Sequence, residues 1–387
     1  MRTAYLDNNA SSPLLPEILA AMQPFFVEAH GNPSSLHGRG QQARVALETA
    51  RGSVAKLLGA APSEILFTSG GTESDNFALF GLVTPGDHVI TTAVEHHAVL
   101  HPCRRLEAQG ATVTVLPVDR DGRVDPSAVR RALRPKTRLI SVMAANNETG
   151  VLQPVEEVGR IAAEADVWFH TDAVQAVGRV PLDVNRMKCD LLTLSAHKMN
   201  GPQGVGALYL RGGTPLRSLI LGGGQERGHR AGTENLAGIV GLGAACQVVQ
   251  AWLARHGELD LAALRDRLEG GILEAVVGTQ VNGRGAPRVP NTTNIAFDRV
   301  PGKGLVVALD RLGVYASTGA ACATTTNEPP HVLLAMGLPP ELAHASVRFS
   351  LGKQTTPQEI DLALEIIPRA VAAVRADSPL WAEPAVG

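Results

Sequence analysis

The sequence has almost no excess charge of either sign. Its 35 lysines and arginines nearly balance its 37 aspartates and glutamates, which leaves a net charge of −2, and no long run of one sign occurs. Binding to a nucleic acid or a membrane surface through bulk charge is therefore not expected. Apolar residues make up 44% of the 387 positions, which is ample for a core and excludes a disordered chain. This length favours two domains.

Cysteine is scarce, and long apolar runs are rare. Cys103, Cys189, Cys246 and Cys322 lie far apart with no CxxC pair, so a small buried residue in a reducing compartment is the default expectation for each, from which Cys322 departs as described below. The first residues lack the apolar core of a signal peptide. Residues 235–254 carry no charge over a length that could cross a bilayer, but their glutamines and glycines favour a helix buried against a sheet. We therefore expect a cytoplasmic protein that does not contact a membrane.

Strands and helices alternate from residue 64 to residue 198, with glycine and proline at many of the turns. This order predicts an α/β fold with a mostly parallel sheet, covered on both faces and joined by right-handed crossovers. After the apolar helix the pattern changes to charged amphipathic helices and separate strands. We predict a large domain over residues 16–258, and a small domain formed by residues 1–15 and 259–387.

Polar residues follow several predicted strands at their carboxyl ends, where open parallel sheets bind ligands. Ser69-Gly70-Gly71-Thr72 leads into a helix, and free N–H groups at such a helix start favour a phosphate, although ordinary turns have the same composition. No Walker loop or GxGxxG occurs, which disfavours nucleotide binding. Asp172, followed by Gln175, ends one strand, and Lys198 follows another; individually they could be a helix cap and a surface amine. Together with the phosphate turn they suggest pyridoxal phosphate, which needs an amine, an acid and phosphate donors.

Three histidines follow the strand at residues 88–93. His97 and His101 have the four-residue spacing of a helical metal pair, but the segment lacks the glutamate of HExxH and no third ligand is near in sequence. The position of His96 at a strand end better supports an imidazole that stacks on a ring or carries protons. We predict no metal site.

Cys322 and Arg348 stand out near the carboxyl terminus. Cys322 lies in a small polar segment that ends in Pro329-Pro330, a composition that predicts an exposed loop on which a thiol could react. Arg348 lies in a predicted strand among apolar neighbours, so its guanidinium needs an anion. Either a substrate carboxylate or the acidic partner of an internal salt bridge could supply this anion.

The motifs, taken in order, resemble those of the cysteine desulfurases of the NifS/IscS group. They include YLDNNASSP, GNPSSLH, FTSGGTESDN, VEHHAVL, NNETGVLQP, HTDAVQ, SAHKMNGPQGVGALY, GGGQERGHRAGTEN, TGAAC and VRFSLG, and they span roughly residues 4 to 370. The resemblance implies a fold type I pyridoxal-phosphate enzyme of the class V aminotransferase type. The implied fold has a mostly parallel seven-stranded sheet in the large domain and a smaller α+β C-terminal domain. The resemblance further implies that the enzyme is a homodimer.

The resemblance also implies roles for individual residues. Lys198 matches the Schiff-base lysine, and His96 the imidazole stacked on the cofactor ring. Asp172 and Gln175 match the partners of the ring nitrogen and ring hydroxyl. The expected phosphate contacts are Gly71, Thr72, Ser195 and His197, together with Thr233 from the neighbouring subunit. Asn147 and Arg348 match the groups that hold the substrate, with Asn147 also at the cofactor.

The implied reaction converts L-cysteine to L-alanine. Lys198 removes the α-proton, Asp172 keeps the ring nitrogen protonated, and the thiolate of Cys322 takes the sulfur as a persulfide. An acceptor protein such as an iron–sulfur scaffold, or a tRNA-thiolation or thio-cofactor pathway, would then receive it. A selenocysteine lyase or cysteine-sulfinate desulfinase on the same scaffold is the alternative, whereas Cys322 argues against an aminotransferase. Ala320, Gln203 and the residues after Cys322 depart from the common pattern of the group.

Overall fold

The computed structural model describes residues 2–319 and 329–376. The strands of these residues are β1 Ala4–Tyr5, β2 Ile65–Thr68, β3 His88–Thr92, β4 Thr112–Leu116, β5 Thr137–Ser141, β6 Trp168–Asp172, β7 Leu191–Ser195, β8 Gly206–Leu210, β9 Thr279–Val281, β10 Thr292–Phe297, β11 Val314–Tyr315 and β12 Ser346–Ser350. The helices are α1 Pro16–Met22, α2 Pro24–Val27, α3 Gly38–Leu58, α4 Gly71–Leu82, α5 His97–Ala108, α6 Pro126–Ala132, α7 Val155–Glu164, α8 Val184–Met187, α9 Leu236–Ala254, α10 Gly257–Ala275, α11 Gly302–Arg311, α12 His331–Ala335, α13 Pro340–His344 and α14 Pro357–Ala376.

A seven-stranded sheet forms the centre of the fold, in the order β2-β8-β7-β6-β5-β3-β4. Neighbouring strands are parallel except at β8, which runs antiparallel to both β2 and β7. All residues of β2, β3, β7 and β8 are buried, as expected for strands covered on both faces. The predicted mostly parallel α/β sheet is confirmed. Because β6 and β7 are neighbours, Asp172 and the segment that carries Lys198 leave the sheet side by side.

Two smaller sheets are built from strands of the carboxyl-terminal part of the chain, one of them together with β1. Strands β12, β10 and β9 form an antiparallel sheet, and β1 pairs in parallel with β11. Ala4 and Leu6 belong to the hydrophobic core that these strands share with α10, α11 and α14. The amino-terminal residues thus pack with the carboxyl-terminal part of the chain, while the exact domain limits remain a prediction.

Helix α9 is the apolar segment seen in the sequence. By length and composition alone it could cross a membrane, but most of it is buried in the fold. It packs against α3 and α1. Gly243 allows close approach, since a Cβ atom there would lie 2.7 Å from the Cα of Ala50 in α3. Burial of the helix by its neighbours explains why residues 235–254 include no charged side chain.

A buried ion pair anchors α3 to the sheet. Both oxygens of Glu226 accept from Arg51, at 2.8 and 2.9 Å, and one also accepts from the backbone N–H of Phe67 at 2.9 Å. The guanidinium lies 4.7 Å from the centre of the Phe67 ring. Glu226 itself has a φ of 46°, a left-handed conformation that these three hydrogen bonds hold in place.

Replacing Glu226 with alanine should lower the free energy of unfolding by about 3–5 kcal/mol, because the Arg51 charge stays buried without its partner. Glu48 provides the matched control, since its half-exposed carboxylate pairs with the Nε of the same arginine at 3.2 Å. Glu48→Ala should cost at most about 1 kcal/mol. Urea unfolding of both variants measures the difference, and equal costs would contradict this account.

Candidate active site

A cavity of about 310 Å³ opens at the carboxyl ends of β6 and β7. It brings together ten of the predicted site residues, from six separate regions of the chain: Gly71, Thr72, His96, Asn147, Asp172, Gln175, Ser195, His197, Lys198 and Arg348. Thr233 does not line this cavity, and Cys322 lies outside the described residues. The geometry thus assembles the expected set, while the role of each residue remains a prediction.

Lys198 enters the cavity from a short 3-10 turn directly after β7. Its Nζ donates to the carbonyl oxygens of Asn9 and Ala10, each at 2.7 Å. The amino-terminal segment, which the sequence did not assign to the site, therefore positions this amine. Asn9 and Ala10 also line the cavity.

Two buried carboxylates and an imidazole meet at one end of the cavity. Asp75, His96 and Asp172 each bring one nitrogen or oxygen atom into a group whose atoms all lie within 4.8 Å of one another. Burial, followed by the charge of Asp75, raises the pKa of Asp172 to about 7. The Oδ1 of Asp172 accepts from the N–H of Val174 at 2.9 Å. A bound ligand with a protonated ring nitrogen would place a positive charge beside these two carboxylates.

Asp75 was missed in the sequence analysis. It is 1% exposed, its Oδ1 accepts no hydrogen bond from any residue that the structure describes, and burial raises its pKa to about 7. The same oxygen lies 3.5 Å from the Nε2 of the buried His170. Asp75 stands three residues after Thr72 in α4, so the helical period alone could have placed both on the cavity side.

The opposite end of the cavity is rich in hydrogen-bond donors. Helix α4 starts at Gly71 after Gly70, whose φ of 152° and ψ of −175° suit only glycine. The hydroxyls of Thr72 and Ser195 also face the cavity, and neither bonds to another described side chain or backbone group. Burial, followed by the charges of Lys198 and Arg179, lowers the pKa of His197 to about 4 and keeps that ring neutral. This set fits a phosphate.

The third end is built around Arg348, which is 2% exposed. Its Nη2 forms an ion pair with Asp7 at 2.6 Å, and its Nη1 donates to the carbonyl oxygens of Asn147 and Gly319 at 2.9 and 3.0 Å. The internal salt bridge that the sequence left open is therefore present. The Nε of Arg348 and the Oδ1 of Asn147 have no partner within the described parts of the chain. These orphaned atoms leave hydrogen-bonding capacity for a ligand.

His96 caps the amino-terminal end of α5, and its Nδ1 accepts from the N–H of Ala98 at 3.1 Å. Burial lowers its pKa, so the ring is a neutral imidazole. Three further histidines stack nearby, with the His97 ring centre 4.7 Å from those of both His101 and His331. His331, which the sequence did not connect to the site, lines the cavity together with His97.

The other cysteines and Thr233 lie away from this chemistry. Cys103, Cys189 and Cys246 are buried, and burial raises the pKa of each thiol to about 12, which confirms their expected packing role. Thr233 is exposed and lines a separate cavity beside Ser69 and Arg230.

The chain matches the family model of class-V aminotransferases over residues 4–363. It is 52% identical over 388 residues to a cysteine desulfurase of Cereibacter sphaeroides, covering 99% of both chains. It is also 47% identical over 383 residues to the cysteine desulfurase IscS of Methanosarcina thermophila, covering 98% of this chain and 94% of that protein. The chain belongs to the cysteine desulfurases of the class-V aminotransferase family.

The fold of this desulfurase agrees with that assignment. A solved structure described as a NifS-like protein is similar with a TM-score of 0.89 and 38% identity, covering 96% of this chain and all of that one. The family is dependent on pyridoxal phosphate in general. The donor set, the orphaned polar atoms and the buried acids of the cavity fit that cofactor.

Proposed function

We propose that this chain converts L-cysteine to L-alanine and takes the sulfur on Cys322 for delivery to an acceptor. The observation that carries the proposal is the single cavity that holds a lysine, a buried acid pair, a phosphate cradle and a buried arginine. The curated relatives named cysteine desulfurase support it. A persulfide on Cys322 requires a free thiol, which fits a reducing compartment such as the cytoplasm.

The first two ends of the cavity would hold the parts of pyridoxal phosphate. Gly71, Thr72, Ser195 and His197 would bind the phosphate, Asp172 the ring nitrogen, Gln175 the ring hydroxyl, and His96 the ring face. The cofactor would supply an electron sink for bond breaking at the substrate α-carbon. Lys198 is the amine that would link to it and move the α-proton. Asp172 would hold the proton at the ring nitrogen.

Arg348 and Asn147 would orient the substrate carboxylate at the third end. The Arg348–Asp7 ion pair fixes the plane of the guanidinium before a ligand arrives, which lowers the entropic cost of binding. The thiolate of Cys322 then attacks the substrate sulfur. A sulfur–sulfur bond forms, the carbon–sulfur bond breaks with its electron pair left on carbon, and protonation of that carbon leads to alanine.

We also propose that the enzyme is a homodimer in which Thr233 of the partner subunit completes the phosphate site. Leu219, Ile220 and Leu221 are exposed apolar residues, Leu221 to 84%, in the segment that leads to Thr233. An apolar patch beside a predicted intersubunit contact favours association. The sulfur acceptor would be a protein such as an iron–sulfur scaffold.

Product analysis tests the reaction. The cofactor-loaded enzyme is incubated with L-cysteine and a thiol reductant, and alanine and sulfide are quantified over time. We expect equal amounts of both, formed over many turnovers without a 2-oxo acid. Dependence on a 2-oxo acid, with a sulfur-containing oxo acid as product, would contradict the proposal and indicate transamination.

A further inference from the structure

A second, much smaller cavity lies on the other side of Lys198 from the active site. Its volume is about 20 Å³, and the cationic side chains of Arg179, Lys198 and Lys353 line it. No carboxylate is among the described residues that line it. Asn8 and Asn291 contribute polar amides to the same wall.

Arg179 is 5% exposed, yet no described carboxylate pairs with it. Its Nη1 donates to the backbone oxygen of Gln175 at 2.7 Å and to the side-chain oxygen of the same residue. Burial, followed by the charge of Arg348, lowers the pKa of Arg179 to about 9. An arginine in such surroundings ordinarily has an anionic partner.

Lys353 lines the same cavity as Arg179. Its Nζ lies 5.3 Å from the centre of the Trp252 ring, and it forms no ion pair or hydrogen bond with the part of the chain that the structure describes. Burial lowers the pKa of Lys353 to about 7, with Arg179 as the next cause. The charge of Arg179 thus disfavours the cationic form of Lys353, and the ring face of Trp252 offsets this in part.

We propose that this cavity binds one monoatomic anion of the chloride type between Arg179 and Lys353. A space of this size holds one water-sized particle, because roughly 10–15 Å³ suffices for a water molecule, and a phosphate or sulfate would not fit. A water molecule could accept hydrogen bonds there but would leave both charges uncompensated. An anion would satisfy both, and it would fix the link from Arg179 to Gln175, the predicted contact of the cofactor hydroxyl.

Bromide replaces chloride and is visible by anomalous scattering, so crystals of the cofactor-loaded enzyme grown or soaked in sodium bromide test the site directly. We expect an anomalous peak between the side chains of Arg179 and Lys353 in the wild type. The peak should be absent in Lys353→Met, which keeps the length of the side chain and removes its charge. A water molecule without anomalous signal in the wild type would overturn the proposal, whatever the variant shows.

Thermal unfolding tests the same site in solution. At constant ionic strength, with chloride replacing gluconate, the melting temperature of the holoenzyme should rise by about 2–3 °C. Lys353→Met should show no chloride-dependent rise, whereas Lys353→Arg, which retains the charge, should keep it. Lys56→Met, at an exposed lysine of α3, is the matched control and should behave like the wild type. The same rise in Lys353→Met would contradict the assignment.

Discussion

Replacement of Lys198 with alanine is expected to lower alanine formation from L-cysteine by at least about a thousandfold. The change removes both the amine that links the cofactor and the base at the substrate α-carbon, and these functions reside in one Nζ atom. That atom lies 2.7 Å from the carbonyl oxygens of Asn9 and Ala10, which hold it at the cavity. Steady-state alanine release measures the effect.

The same variant should also lose the covalent link to the cofactor. Its visible absorption should change, and dialysis should remove the cofactor more readily than from the wild type. Lys56→Ala, at an exposed position of α3, should match the wild type in both measurements. Alanine formation by Lys198→Ala near the wild-type rate would show that this lysine is not the catalytic amine.

Replacement of Cys322 with alanine should lower alanine formation from L-cysteine by about a thousandfold or more, because no other thiol can attack the substrate sulfur. The three remaining cysteines are buried, with the pKa of each thiol raised to about 12, so they carry almost no thiolate at neutral pH. Cys103→Ala is the matched control and should retain activity.

Two further substrates distinguish the loss of the Cys322 nucleophile from damage to the rest of the active site. Cysteine sulfinate and selenocysteine have leaving groups that need no thiol attack, so Cys322→Ala should still release alanine from them at a rate near that of the wild type. Loss of activity toward all three substrates would point to a disturbed cavity. Undiminished activity toward L-cysteine would show that Cys322 does not take the sulfur.

Local sequence patterns predicted most of the sheet and its helices. Strand β6 and helix α7 lie in the region where strands and helices were predicted to alternate, and α14 follows the apolar helix as one of the predicted amphipathic helices. The side chain of Asp125 caps α6, accepting from the N–H of Ser127 at 2.8 Å. These elements have strong periodicity or clear caps. Strand β8 was not predicted, because the glycine-rich residues before it are typical of a loop.

The contacts between distant parts of the chain were beyond the sequence. Asp7 and Arg348 are 341 residues apart, and they meet because Asp7 forms a parallel bridge with Ser350 of β12 while β1 pairs with β11. The same holds for Lys198 and the carbonyl oxygens of Asn9 and Ala10. His331 reaches His97 from another element, which no spacing rule reveals. The site residues at strand ends could be predicted, because the carboxyl ends of neighbouring parallel strands lie along the same edge of the sheet.

The central claim is that sulfur passes through Cys322, and the most direct test is to look for it there. The cofactor-loaded enzyme is incubated with L-cysteine without a reductant, its thiols are alkylated, and the digested peptides are analysed by mass spectrometry. The account predicts that the Cys322 peptide gains the mass of one sulfur atom, and that treatment with a reductant removes it. An unmodified Cys322 peptide under conditions that release alanine, or the added sulfur on Cys103, Cys189 or Cys246, would contradict it.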